Sequence, residues 1–283
     1  MSTHSFDAAL HLTPDFDAQP DQFVGHTHPD WWNMVGPFGG MTAAIALHAV
    51  MSHPSRLGDP AAVTVNYASA LADGPFKAVA RPVRTNRSTQ HWVLEMRQAD
   101  AHGVETVVLT GTAMTAVRRE TWSATDMPMP DVPHPDAVPR PSLRTGAVKW
   151  LQRYDMRPVH GSIPAKWDGS AASEDPLRAS LTQLWVRDDP ARPLDFESLM
   201  AMADIFFPRI WLRRSTMVPV GTVSLTVYFH GGKEQLAASG DGYLLGQARG
   251  QAFRNGFFDH TAQLWNEAGV LLATTHQLVY YKE

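Results

Sequence analysis

The chain repeats one order of elements, and this internal duplication limits its fold more than any other feature. Each half has an apolar helical segment, then a strand (VTVNYASAL or VSLTVYFHGG), then two alternating runs joined by a turn that contains Gly103 or Gly269. Such paired runs predict β-hairpins. Two copies at a long period indicate a duplicated domain rather than a solenoid. The 283 residues are enough for two packed domains.

Three polar residues of the second copy have no polar equivalent in the first. Aligning the copies pairs Asp204 with Gly40 and Gln277 with Gly111, and it gives Thr222 no equivalent. Polar side chains that could do chemistry are therefore expected only in the second half. We predict that the first half is a scaffold and that the second carries the site.

A proline-rich segment separates the two copies. Residues 126–141 contain six prolines, and a residue without an amide donor cannot continue a helix or lie inside a sheet. We predict an N-terminal domain over residues 1–122, a linker over 123–145 and a C-terminal domain over 146–283. The linker is expected to lie outside both cores.

The composition excludes several classes of protein. The formal net charge of −4 and the lack of a long basic run argue against a nucleic-acid partner. The chain has no Cys, which excludes disulfides, thiolate metal sites and a Cys nucleophile. No apolar run is long enough for a membrane span, and the first residues lack the pattern of a signal peptide, so we expect a cytoplasmic location.

Asp204 lies in a segment that is predicted to be a buried helix. Residues 196–212 are apolar nearly all round, as are residues 41–51 in the first half. A buried carboxylate costs free energy unless it is hydrogen bonded or takes part in the function. The alternative interpretation of Asp204 is a residue that caps the start of a helix. Pro208 removes the amide that would bond the carbonyl of Asp204, so we expect a kink there.

These segments resemble the acyl-CoA thioesterase II family. The resemblance covers nearly the whole chain and is strongest in PFGGMTAAIAL, AMADIFFPRIW, GTVSLTVYFH and AGVLLATTHQLVYY. It implies an α+β double hotdog fold, with two antiparallel sheets, each wrapped around a long central helix. It also implies that Asp204, Thr222 and Gln277 hold a hydrolytic water. The implied partner is an acyl-CoA substrate, with no separate cofactor, and a dimer of double hotdogs is the implied assembly.

The three residue types suit attack of water on a thioester. Asp204 would accept a proton from the water, while the hydroxyl of Thr222 and the amide of Gln277 would fix its position. Burial would raise the pKa of the Asp toward the range of a general base. Gly39 and Gly40 would let the acyl group approach backbone amides that stabilise the oxyanion.

Candidate contacts of the substrate lie at arginines and at one histidine. Forked donors for the phosphates of coenzyme A are expected at Arg84 and Arg87, and at Arg249 and Arg254 in the matching region of the second half. Solvated arginines at strand edges are the alternative. His230 lies on the strand of Thr222 and is expected near the site, in reach of the substrate. The alternative is a histidine at the edge of the core with a satisfied hydrogen bond.

Other chemistries find little support in the sequence. The chain contains no G-x-S-x-G and no H-E-x-x-H. His26 and His28 have the spacing of strand ligands but lack a third ligand nearby, so we predict no metal. Two alternatives remain open: a hotdog hydratase or dehydratase that uses an Asp and a His, with His230 as the candidate, and a non-catalytic protein that binds acyl thioesters.

Overall fold

A single antiparallel sheet organises the molecule. The computed structural model describes residues 3–142, 148–170, 174–175 and 179–283, and within them the sheet has thirteen strands. The strands are β1 (Leu12–Pro14), β2 (Gln22–His26), β3 (Asp59–Tyr67), β4 (Pro75–Thr85), β5 (Thr89–Ala99), β6 (Glu105–Ala116), β7 (Tyr154–His160), β8 (Thr182–Asp188), β9 (Val220–Phe229), β10 (Leu244–Arg249), β11 (Phe253–Arg254), β12 (Phe257–Asn266) and β13 (Leu271–Tyr281).

The helices are short and few in comparison. They are α1 (Ser5–Leu10), α2 (Gly39–Met51), α3 (Phe196–Met202), α4 (Arg209–Arg214) and α5 (Lys233–Ser239), with 3₁₀ turns at Pro29–Trp31, Pro135–Ala137 and Lys149–Arg153. In the described parts of the chain, no helix has the length and apolar character needed to cross a membrane.

The sheets of the two halves are continuous with each other. The strand order is β1-β2-β4-β5-β6-β3-β9-β13-β12-β10-β8-β7, and β11 pairs with β12. At the centre, β3 and β9 are antiparallel, with Thr64 opposite Thr226 and their hydroxyl oxygens 2.9 Å apart. A pseudo-two-fold axis passes through this pair. The two separate sheets expected from the sequence are therefore joined into one, because each half supplies an unpaired strand edge that the other covers.

Both predicted hairpins are confirmed. Strands β5 and β6 pair along their lengths, as do β12 and β13. Gly103 and Gly269 occupy the two turns with φ of +79° and +80°, a backbone conformation that favours glycine.

The helix α2 is enclosed by protein on nearly every side. Its side chains from Met41 to Leu47 are all buried, and they belong to the main core with residues of β3, β4 and β5. The small alanines let surrounding elements approach closely, so the helix needs no polar face. A helix wrapped by a sheet, present in both halves, is the double hotdog architecture that the resemblance implies.

The single helix predicted over residues 196–212 is wrong. Helix α3 begins after Asp195, whose Oδ1 accepts a hydrogen bond from the Ser198 amide at 2.8 Å, and ends at Met202. Helix α4 begins only after Pro208. Proline supplies no amide and disfavours a helical residue before it, so the expected kink becomes a full break. Asp204 lies in the turn after α3, not within a helix.

The proline-rich segment packs against the sheet of the C-terminal half instead of lying outside both cores. Indole N–H groups of Trp185 and Trp265 donate to the carbonyls of Pro133 and Met127 at 2.9 and 3.2 Å. Val138 is buried in a small cluster with Trp185, Tyr243 and Leu245. This cluster covers the sheet face opposite the main core. Residues 143–145 of the predicted linker lie outside the described residues.

Candidate active site

The structure brings the three polar residues of the second half together. The side-chain amide of Gln277 donates to Oδ1 of Asp204 at 2.8 Å. The Thr222 hydroxyl lies 3.5 Å from Oε1 of Gln277, at the long limit of a hydrogen bond. One carboxylate, one amide and one hydroxyl therefore face a common space.

Irregular backbone sets the direction of two of these side chains. Asp204 follows the last turn of α3, where its own amide donates to the carbonyl of Ala201 at 3.1 Å. The register between β9 and β13 shifts beside Thr222, which lies opposite Val279, whereas the next pair is Ser224 with Leu278. The extra residue forms a β-bulge, and bulges re-aim neighbouring side chains.

The surroundings of Asp204 favour a proton acceptor that works near neutral pH. Burial raises the pKa of Asp204 to about 7, while hydrogen bonds from the Gln277 side chain and the Gly40 amide act in the opposite direction by stabilising the charge. The residue nevertheless keeps some accessible surface. A deeply set carboxylate that still reaches accessible space can bind water and take a proton from it.

Gly39 and Gly40 lie at the site, but the role of Gly40 differs from the expected one. A Cβ atom on Gly39 would lie 2.8 Å from Oδ2 of Asp204, and one on Gly40 would lie 2.4 Å from the carbonyl oxygen of Ala201. The glycines thus let the start of α2 meet the end of α3. Because the Gly40 amide binds Asp204, it is not free to bind an oxyanion.

Tyr67 is a site residue that the sequence analysis missed. Its hydroxyl donates to the carbonyl of Gly39 at 2.9 Å. Burial, followed by the charge of Asp204, raises the pKa of Tyr67 well above its ordinary value, so the hydroxyl stays protonated. The two-fold that relates Thr64 to Thr226 places Phe229 in the equivalent position of the second half. Comparing these two residues in the repeat would have revealed the polar difference.

The site therefore draws on both halves. The first half contributes the Gly40 amide, which contacts the Asp204 carboxylate, and Tyr67, which holds Gly39 beside it. This corrects the prediction that the first half serves only as a scaffold.

His230 lies far from the other predicted site residues. It follows the end of β9, whereas Thr222 is near the start, and eight residues of extended strand span roughly 26 Å. Its Nε2 is 2.9 Å from the hydroxyl of Thr274. The expected contact with the site is wrong. Eight residues are close in the sequence, but in an extended strand they separate His230 from Thr222 by the length of β9.

The four predicted arginines lie at different levels of the sheet. Arg84 is at the end of β4 and Arg87 is in the turn to β5, beside the end of β6 that pairs with Asp59, whereas Asp204 is near Tyr67 at the other end of β3. Antiparallel pairing of β3 and β9 puts matching loops of the halves at opposite ends. Arg254 is exposed at the same end of the sheet as Thr222, whereas Arg249 is exposed at the level of Thr226, near the middle of β9. Of the four arginines, Arg254 is the one at the end of the sheet that carries Thr222.

Strand register identifies the equivalent of Gln277 in the first half. Gln277 lies opposite Leu225, and the two-fold relates Leu225 to Val63, whose partner is Ala113. The predicted equivalent, Gly111, is therefore wrong. The first hairpin has two more residues between its turn glycine and this position because its arms are longer, since both hairpins carry the same one-residue register shift beside the turn.

The first half has no polar set at the equivalent location. Counting from the starts of the two central helices, Gly39 and Phe196, the counterpart of Asp204 is the buried Leu47 rather than Gly40. The neighbour of Ala113 on β5 is Trp92, which is 1% exposed and fills the space with its indole ring. Apolar packing therefore replaces the site.

The described residues hold no group of three or more His, Asp or Glu side chains that could bind a metal ion. His28, one of the two histidines with ligand spacing, accepts a hydrogen bond from the Asp30 amide through Nδ1 at 3.2 Å and caps a 3₁₀ turn.

The fold and the site together define a double hotdog protein, and its described residues bring one carboxylate, one amide and one hydroxyl together in the second half. The chain belongs to the acyl-CoA thioesterase family. The family's C-terminal domain matches residues 125–281 and its N-terminal domain matches residues 28–116. No curated protein matches the chain in sequence.

Solved structures show the same fold. A conserved protein of unknown function with a hot dog fold from Alicyclobacillus acidocaldarius is 45% identical, with a TM-score of 0.88 over 100% of this chain and 99% of that one. An acyl-CoA thioesterase II from Mycobacterium marinum is 18% identical, with a TM-score of 0.74 over 98% of each chain. A tesB protein from Mycobacterium avium subspecies paratuberculosis is 16% identical, with a TM-score of 0.73 over 100% of both.

Proposed function

We propose that the protein hydrolyses acyl-CoA thioesters to a free acid and coenzyme A, using a water held by Asp204, Gln277 and Thr222. The observation that carries this proposal is the Asp204 carboxylate, which accepts a hydrogen bond from the Gln277 amide at 2.8 Å in surroundings whose burial raises the pKa of Asp204 to about 7. Family membership supports the same reaction.

The reaction is a general-base-assisted attack of water. Asp204 takes a proton from the water while the water oxygen bonds to the thioester carbonyl carbon. The carbonyl oxygen becomes an oxyanion, for which the amide of Gly39 in the first turn of α2 would be a donor, since such amides lack intrahelical partners. When the oxyanion collapses, the carbon–sulfur bond breaks and the proton on Asp204 returns to the thiolate of coenzyme A.

The substrate contacts follow from the placement of the arginines. Arg249 and Arg254 of the second half stay the candidates for the coenzyme A phosphates, and Arg254 lies at the end of the sheet that holds Thr222. Coenzyme A enters as part of the substrate, so no separate cofactor is required. The dimer of double hotdogs stays a prediction.

The dehydratase alternative loses His230, the histidine that the sequence predicted for it. That reaction needs an Asp and a His that act together, and His230 is separated from Thr222 by most of β9. A non-catalytic binding protein would have no need of a carboxylate held with a raised pKa beside a positioned amide, and such perturbed groups mark functional sites.

The direct test follows thiol release from a panel of acyl-CoA esters. The wild type should release thiol, and Asp204→Asn should lower kcat by about a hundredfold or more, as expected for loss of a general base. Asp188→Asn is the matched control, because burial also raises the pKa of Asp188, to about 6, but its partner is Ser198 at 2.6 Å.

Two results would contradict the proposal. Near-normal turnover by folded Asp204→Asn would remove Asp204 from the mechanism. Absence of thiol release from every ester by the wild type would reject thioester hydrolysis itself.

A further inference from the structure

The inner face of the sheet carries a second buried polar group beside Gln277. His260 on β12 lies directly opposite Gln277 on β13, so both side chains point to the same face. His260 is 2% exposed, and its Nε2 has no hydrogen-bond partner among the described residues. An unpaired buried polar atom is costly, so a native structure that keeps one calls for an explanation.

A buried cation lies close to this histidine. Arg209 is fully buried, and within the described residues its hydrogen bonds go to the Phe207 and Ser180 carbonyls and the Thr182 hydroxyl rather than to a carboxylate. Burial lowers the pKa of Arg209 to about 9, so the group stays charged at neutral pH. Burial and the charge of Arg209 keep the pKa of His260 well below its ordinary value. A neutral imidazole beside a positive charge suits an oxygen acceptor.

Phe206 covers His260 and occupies a space that is lined by small residues. The two rings meet edge to face, with centroids 5.6 Å apart. A Cβ on Gly246 would lie 2.8 Å from Cζ of Phe206, and the neighbouring pair on β10 and β12 is Ala248 with Ala262. Phe206 follows Asp204 by two residues, in the non-helical segment between α3 and α4. Entry of a ligand into this space requires the Phe206 ring to move.

The first half shows the same position without an unpaired group. Trp92, the counterpart of His260, donates its indole N–H to the Thr115 hydroxyl at 3.2 Å. His53 packs against Trp92 with ring centroids 5.1 Å apart. The second half thus has a smaller ring with an unsatisfied nitrogen where the first has a satisfied, space-filling side chain.

We propose that the space filled by Phe206 is the pocket for the acyl group, and that His260 Nε2 hydrogen bonds an oxygen on a short acyl chain. This inference rests on the proposed thioesterase function, whose base, Asp204, adjoins the pocket. His260 is then a residue that determines specificity, and the preferred substrates are short acyl-CoA esters that carry a hydroxyl or carboxylate oxygen beyond the thioester.

Binding to the slow Asp204→Asn variant tests the oxygen contact without turnover. Calorimetry would compare butyryl-CoA with 3-hydroxybutyryl-CoA and succinyl-CoA, which have the same number of acyl carbons. At least one oxygen-bearing ester should bind about five- to tenfold more tightly than butyryl-CoA, the usual effect of one added hydrogen bond. Preference for the hydroxyl ester indicates a neutral acceptor, and preference for succinyl-CoA indicates that the charge of Arg209 contributes.

Substitution of His260 decides whether the preference arises there. His260→Leu in the same background should abolish the preference, whereas His260→Gln, which keeps an amide donor, should retain part of it and serves if the leucine variant does not fold. His276→Leu is the control, because His276 lies on the neighbouring strand with a side chain that is 55% exposed. Equal binding of the three esters, or a preference that persists in both folded His260 variants, would overturn the inference.

The size of the pocket has its own test. Phe206→Leu should raise the ratio of kcat/KM for hexanoyl-CoA over butyryl-CoA by about tenfold, because the removed ring atoms leave room for two methylenes. Phe207→Leu, a neighbouring but partly exposed aromatic, should leave this ratio unchanged. Equal effects of the two substitutions would reject Phe206 as the lining of the pocket.

The outcomes separate this inference from the proposed function. Hydrolysis of all three esters without any preference in binding would keep the thioesterase and reject the pocket. A binding preference that depends on His260, without thiol release by the wild type, would keep the pocket and reject the hydrolase.

Discussion

Replacing Gln277 should move the acidic limb of the pH–rate profile, and the size of the shift follows from one contact. The amide of Gln277 donates to Oδ1 of Asp204 at 2.8 Å and stabilises the charged carboxylate. A base must be deprotonated to act, so kcat/KM of the wild type should rise with pH and level off above about 7. Gln277→Leu removes the donor, so the pKa of Asp204 should rise further.

The magnitude comes from the strength of a hydrogen bond to a charged group. Such a bond contributes about 1.5 to 3 kcal/mol, and one pKa unit corresponds to about 1.4 kcal/mol. The limb should therefore move from about 7 to about 8 or 9. At pH 7 the variant would then be slower by about five- to fiftyfold from this cause alone, beyond any loss seen on the alkaline plateau.

The assay is the pH dependence of kcat/KM for one hydrolysed acyl-CoA, with Thr222→Val as the comparison. The Thr222 hydroxyl faces Oε1 of Gln277 rather than the carboxylate, so its loss should lower the plateau and leave the limb in place. A limb that stays near 7 or moves down in Gln277→Leu would refute the reasoning. An equal shift in Thr222→Val would show that the two residues act on Asp204 in another way.

Two further predictions concern stability and stoichiometry. The folded pKa of about 7 exceeds the ordinary 3.8, so the native state holds its proton longer and the free energy of unfolding should fall as pH rises between these values. In denaturant unfolding at pH 8, Asp204→Asn should therefore be more stable than the wild type by up to about 4 kcal/mol, and at pH 4 the two should not differ. Equal stability of the two proteins at both pH values would contradict the argument that burial raises the pKa of Asp204. Because Trp92 fills the equivalent space, a non-hydrolysable acyl-CoA analogue should titrate at one per chain, and two would contradict the asymmetry.

Local pattern and the repeat were enough to predict several parts of the molecule. The hairpins followed from alternating runs around Gly103 and Gly269. The grouping of Asp204 with Gln277 and Thr222 followed from the resemblance and from the absence of polar equivalents in the first half. The break at Pro208 was underestimated as a kink, because apolar periodicity continues through residues 203–208 although their hydrogen bonding does not.

The other predictions that the structure contradicts depend on features that single residues do not encode. The pairing of Gly111 with Gln277 failed because the arms of the first hairpin are longer, which moves the true equivalent to Ala113. Arg84 and Arg87 were placed at the wrong end because the two-fold reverses the direction of matching loops. His230 was predicted near Thr222 because the length of the extended strand between them was not taken into account. Each requires knowledge of how the two halves pair.

The pairing of the halves also explains why one chain keeps one site. Elements of both halves meet at Asp204, where the first half supplies Gly40 and Tyr67 and the second supplies the carboxylate and Gln277. Two identical subunits would have to build both locations from one sequence. Joining them in one chain lets each half specialise, so the counterpart location is free to be packed by Trp92 and can contribute stability where the other contributes chemistry. The duplicated fold therefore predicts that substitutions at Gly40 or Tyr67, in the half without a catalytic base, act on the chemistry of the other half.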